Sequence, residues 1–94
     1  MSEDGGALVD RVERLHAELE ATEELPVERT ASRWIGEAQA VAADAANGGL
    51  RETVVRERVG HVAELLENVE STGDERADEH VATARELAVE IAGE

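Results

Sequence analysis

The stretch Val54-Val55-Arg56-Glu57-Arg58-Val59-Gly60-His61-Val62-Ala63-Glu64-Leu65-Leu66-Glu67-Asn68-Val69 decides the fold class. Valine favours strands, and a strand with one buried face alternates apolar with polar residues. Here Val55, Val59, Val62, Leu66 and Val69 recur at spacings of four, three, four and three, which trace one face of an α-helix. Val54 and Leu65 widen that face, and most residues between are charged. The segment therefore reads as a helix with one side in a core and the other in water.

The same periodicity continues in both directions. Upstream, Ala31, Trp34, Ala38, Val41 and Ala45 form a second stripe, and Asn47-Gly48-Gly49 supplies the left-handed residues that end a helix. Before it, Leu8, Val12, Leu15 and Leu19 form a first stripe that fades at Thr22. Leu25-Pro26 breaks the chain there, with Pro26 placed as the first residue of the second helix and Glu28 as its third. Downstream, Ser71-Thr72-Gly73 closes the third segment, and Thr72-Gly73-Asp74-Glu75 reads as a capping box opening the fourth. The last stripe is Ala77, Val81, Ala84, Ala88 and Ile91, widened by Leu87.

Loops this short force neighbouring helices antiparallel. The expected fold is all-α, an antiparallel up-down bundle of four helices at about 7–24, 26–46, 50–70 and 74–92. These make one domain over 7–93, after a disordered stretch at 1–6. The main variant is a three-helix core with the first helix docked on it.

Composition then bounds the function. Nine Arg and no Lys face 23 acids, for a net charge of −14, and a chain this acidic repels itself unless the charge is screened or bound. Sixteen of its 39 apolar residues are Ala, so the core is thin at ~25 cal/mol per Å² buried. Salt and oligomerisation are the two remedies, and both are expected. Dilution to ~0.1 M salt, where charges interact over ~10 Å, is expected to loosen the fold. The absence of cysteine excludes disulfides, thiolate metal sites and a cysteine nucleophile. No apolar run spans a membrane, and Met1-Ser2-Glu3-Asp4-Gly5-Gly6 lacks the features of a signal peptide, so a cytoplasmic protein with no membrane partner is expected. Nucleic acid is a poor ligand for such a charge, because its binding rests on Lys and Arg neutralising phosphates.

The acid is unevenly spread. Residues 1–25 carry net −6 and 73–94 carry −5, whereas 26–48 carry −1 and 49–72 carry −2. The run Ala38-Gln39-Ala40-Val41-Ala42-Ala43-Asp44-Ala45-Ala46 is apolar almost all round, and a helix without a polar face is normally covered on more than one side. A second copy of the chain is the expected cover, giving a homodimer with an interface at Trp34, Ala38, Val41, Ala42 and Ala45. The protein is thus expected to be a non-enzymatic interaction or scaffold protein without a cofactor. A basic protein partner held by the acidic end segments is the alternative.

Two further pairs carry chemistry at suggestive spacings. Glu13 and His16 match Glu-x-x-His, which places a carboxylate and an imidazole on one helix face for a metal. His61 and His80 lack such a glutamate, so the ligand set is incomplete. Arg56 and His61 match Arg-x4-His, a spacing that resembles the motif of a class of small helical ribonucleases; the resemblance implies an acid/base His and a phosphate-holding Arg. Five residues along a helix turn about 140°, so the two reach one cleft only near a kink or across a dimer. Gly60 is read as a point of close approach to the alanine-rich second helix. Arg29, Arg33, Arg51, Arg56 and Arg58 are expected to pair with nearby acids such as Glu28, Glu37, Glu52 and Glu57.

The acid excess with arginine alone as cation resembles the small uncharacterised helical proteins of halophilic archaea. Residues from about Trp34 to Leu66 are also similar to an archaeal domain of unknown function that forms a three-helix bundle. The matching pattern is a small-residue helix, the Asn47-Gly48-Gly49 turn, and a second helix bearing Val59-Gly60-His61-Val62. The resemblance implies a helical fold and adds no chemistry.

Overall fold

The computed structural model describes residues 4–47 and 49–94. Four α-helices, α1 (Asp4–Glu20), α2 (Arg29–Ala45), α3 (Glu52–Leu66) and α4 (Glu75–Ala92), account for most of them, and a 3-10 turn, Ala21–Glu24, extends α1. No strand occurs among the described residues. The helices close a ring in which α1 packs on α2, α2 on α3, α3 on α4 and α4 on α1. Cross-helix pairs fix the antiparallel sense. Arg11 in the middle of α1 pairs with Glu90 in the last turn of α4 and with Glu94 just beyond it, and Glu18 near the end of α1 meets His80 early in α4. The first helix is part of the ring, with Leu8, Val12, Leu15 and Leu19 all buried, so the four-helix bundle holds and the docked variant does not.

The core follows a large-against-small rule. α1 and α3 supply Leu15, Leu19, Val12, Val59, Val62 and Leu66, all fully buried. α2 and α4 supply mainly alanines, namely Ala31, Ala38, Ala42 and Ala45 from α2 and Ala77, Ala84 and Ala88 from α4. Each bulky helix thus lies between two slim ones, which lets side chains interdigitate without voids.

Several boundaries differ from the sequence reading. α1 begins at Asp4, so the expected disorder of 1–6 is corrected for Asp4–Gly6; residues 1–3 lie outside the described residues. α2 begins at Arg29, not Pro26. Leu25 is extended, as residues before proline prefer, and the N–H groups of Val27 and Glu28 donate to the carbonyls of Leu25 and Thr72 at 2.8 and 2.7 Å. Those bonds hold Glu28 as the flanking residue of the helix, and they tie the α1–α2 connection to the α3–α4 connection. Thr22 remains buried, its hydroxyl donating to the Leu19 carbonyl at 2.6 Å.

The helix ends differ as well. α2 closes with the Asn47 N–H donating to the Asp44 carbonyl at 3.2 Å, and Asn47 is not left-handed; Gly48 lies outside the described residues. α3 stops at Leu66, short of the expected 70. The cap of α4 is Asp74, two residues beyond the expected Thr72, and its carboxylate accepts from the N–H groups of Arg76 and Ala77. Thr72 is fully buried instead, and Gly73 at φ +85° makes the left-handed turn between them. Gly60 faces α4 and not α2, with a Cβ built there lying 3.7 Å from the Ala92 Cβ.

Candidate functional site

The inward face of α2 is Ala31, Ile35, Ala38, Ala42 and Ala45, all buried by the chain's own helices. This corrects the proposed interface. Ala38, Ala42 and Ala45 present no surface to another chain, while Trp34 and Val41 are half-buried on the flank of the helix. The true stripe replaces Trp34 by Ile35 and Val41 by Ala42, a rotation of about 40° about the helix axis.

That rotation defines what α2 shows to solvent. Arg29, Arg33, Gly36, Ala40, Ala43 and Asp44 are all exposed, and they lie along the side opposite the core. A Cβ at Gly36 would meet nothing within 4 Å, so the surface is open there. Trp34 borders it with Thr30, Arg33 and Glu37 around a shallow cleft of about 170 Å³. The ridge is cationic at its N-terminal end, small and uncharged at its middle, and anionic at its C-terminal end.

The electrostatics of this ridge run against the helix. An α-helix favours acids in its first turn and bases in its last. α3 opens with Glu52, and α4 with Glu75 and Asp78, in keeping with that rule. α2 has no acid in its first turn and no base in its last. Arg29 and Arg33 were expected to pair with Glu28 and Glu37, yet among the described residues neither they nor Arg51 has a carboxylate within 4 Å. Arg56 does pair with Glu52 at 3.2 Å, and Arg58 pairs across to Asp44 at 3.3 Å.

The ring order also sorts the charge of the whole molecule. The two acidic segments lie side by side as α1 and α4, and the two nearly neutral ones as α2 and α3. Within the helices themselves, α1 and α4 together carry net −6, and α2 and α3 together net −1.

The histidine candidates fall elsewhere. Arg56 turns to Glu52 and also lies 3.9 Å from Glu94, whereas His61, on the same helix, is exposed. Glu13 is exposed and His16 half-buried, and neither makes a hydrogen bond or ion pair among the described residues. No group of three or more side chains placed to hold a metal occurs among those residues. The imidazole with a carboxylate partner is His80, whose Nδ1 lies 2.8 Å from Glu18 Oε1 beside a cleft of about 390 Å³ between α1 and α4. Spacing rules within one helix miss it, because the partners are 62 positions apart.

No helix among the described residues is long and apolar enough to cross a membrane. Residues 11–94 match the model of a family described as a domain of unknown function, DUF8152. No curated protein and no solved structure matches the chain.

Proposed function

The chain belongs to the DUF8152 family of unknown function, and we propose that it is a non-enzymatic interaction protein that self-associates through the α2 side of its bundle. One observation carries this reading. The ring sets α1 and α4, which together carry net −6, side by side, and leaves net −1 on α2 and α3. Two copies meeting through α1/α4 repel strongly, and two copies meeting through α2/α3 repel least. The exposed ridge with Gly36 and Ala40 at its centre lets a second backbone come close. The proposed setting is a cytoplasm with molar salt, which screens the acidic side.

Sedimentation in molar salt tests this. The wild-type chain is expected to sediment as a dimer. Gly36→Gln is expected to sediment as a monomer while keeping its helix content by circular dichroism, since nothing in the chain occupies the space beside Gly36. A wild-type chain that stays monomeric at all concentrations overturns the reading.

The same charge sorting supports a second reading, in which the α1/α4 side receives a basic protein. Its test is capture from a high-salt lysate, and recovery of no basic protein counts against it.

A further inference from the structure

Resting on self-association through α2, we infer that the second copy lies antiparallel along that helix, with Arg33 of each chain meeting Asp44 of the other. The exposed ridge is Arg29, Arg33, Gly36, Ala40 and Asp44. A parallel partner would place arginine against arginine and aspartate against aspartate. An antiparallel partner reverses the order, so the cationic end of one ridge lies on the anionic end of the other. A two-fold axis between Gly36 and Ala40 sets each Gly36 against the partner's Ala40, where the helices come nearest. The same axis brings Arg33 opposite the partner's Ala43 and Asp44, so one placement satisfies both shape and charge.

Three observations on one chain point to this partner. Arg29 and Arg33 have no carboxylate within 4 Å among the described residues, in a protein with 23 acids. Arg29 occupies the end of α2 where its dipole disfavours cations, and Asp44 the end where it disfavours anions. A neighbouring antiparallel helix relieves both, because each charge then faces an opposite charge and the opposite pole. Isologous contacts of this kind also close on themselves, giving a dimer and not a fibre. Asp44 keeps its own Arg58 at 3.3 Å, so the arrangement joins Arg33 to an existing pair at the rim.

The test uses the distance between the two residues within one chain. Positions 33 and 44 are separated by about 16 Å along the helix axis, so they cannot touch each other intramolecularly. Dimer dissociation constants are to be measured by sedimentation in molar salt for wild type, Arg33→Asp, Asp44→Arg, the double variant, and an equimolar mixture of the two single variants. Each single variant is expected to weaken self-association about tenfold, since it sets like charges in direct contact, within the ~3 Å over which they still act at 1 M salt, at two symmetric places. The double variant and the mixture are both expected to regain affinity to within about threefold, because each restores two opposite-charge contacts. Net charge alone predicts otherwise, as Asp44→Arg makes the chain less acidic and would then dimerise better. Both positions are exposed, and circular dichroism checks that each variant keeps its helices. A wild-type dimer in which the double variant and the mixture show no recovery overturns the antiparallel register and leaves self-association standing. A monomeric wild type overturns both.

Discussion

Asp78 Oδ1 lies 2.8 Å from both the backbone nitrogen and the hydroxyl oxygen of Thr72. This bond pair closes the α3–α4 turn. The backbone N–H of Thr72 is the larger influence and its hydroxyl the smaller, and together they hold the Asp78 carboxyl below its ordinary range against the opposing effect of burial. A carboxyl whose pKa is lower folded than unfolded contributes stability above its unfolded value. That contribution fades as pH falls through the folded value. Asp78→Asn is therefore expected to melt below wild type near neutral pH, with the gap narrowing below about pH 4. Thermal melts at several pH values check it, and a gap that stays constant would mean that the charge of Asp78 is not what the turn uses. Thr72→Val tests the other partner. Its fully buried hydroxyl accepts from the Asp74 N–H at 3.1 Å, so the loss is expected to cost about 1–2 kcal/mol.

Two glycines are expected to respond to alanine in opposite directions. Gly60 is inside α3, and a methyl group there meets Ala92 at an ordinary 3.7 Å. Gly60→Ala is expected to stabilise by about 0.5–1 kcal/mol through helix propensity and a less free unfolded chain. Gly73 sits at φ +85° in the turn before α4. A side chain is strained there, so Gly73→Ala is expected to cost about 1–2 kcal/mol. Urea unfolding of both variants separates the two cases.

The same turn shows where the sequence is readable and where it is not. The stripe of α4, Ala77, Val81, Ala84, Ala88 and Ile91, is the observed buried set, because only one helical face of that segment is free of charge. α2 has no such contrast. Both Trp34 and Ile35 sit at acceptable spacings, and the larger aromatic draws the reading about 40° off axis. The offset puts Trp34 and Val41 in the expected core in place of Ile35 and Ala42, which are the residues buried there. Cap positions near Thr72 depend on which of three adjacent polar residues is buried, and that is a tertiary outcome. The Glu18–His80 pair joins distant helices, so local spacing carries no trace of it.

That pair also separates the histidines by their effect on stability. His80 and Glu18 are partly buried and link α1 to α4, so His80→Ala is expected to cost about 1 kcal/mol. His61 is exposed, and His61→Ala is expected to change stability by no more than about 0.5 kcal/mol. Equal losses for the two variants in urea unfolding would contradict the assignment of His80 as the interhelical link.

Salt dependence is expected to be a property of one side of the molecule. Like charges at neighbouring helix positions cost about 0.2–0.5 kcal/mol each, and they act over about 10 Å at 0.1 M salt but only about 3 Å at 1 M. Glu13 of α1 and Glu86 of α4 are exposed on the side whose two helices together carry net −6. Removing both as Glu13→Gln and Glu86→Gln is expected to recover about 1 kcal/mol at 0.1 M salt, or about 4–8 °C in melting temperature, and almost nothing at 1 M. Glu57 and Glu64 of α3 are also exposed, but they lie on the α2/α3 side, whose helices together carry net −1. Their replacement by Gln removes little repulsion where the surrounding charge is nearly balanced, so it is expected to recover far less. Equal recovery by the two pairs would mean that total charge sets the salt requirement. Unequal recovery in the stated order would mean that it is set by the ring order, which places α1 beside α4.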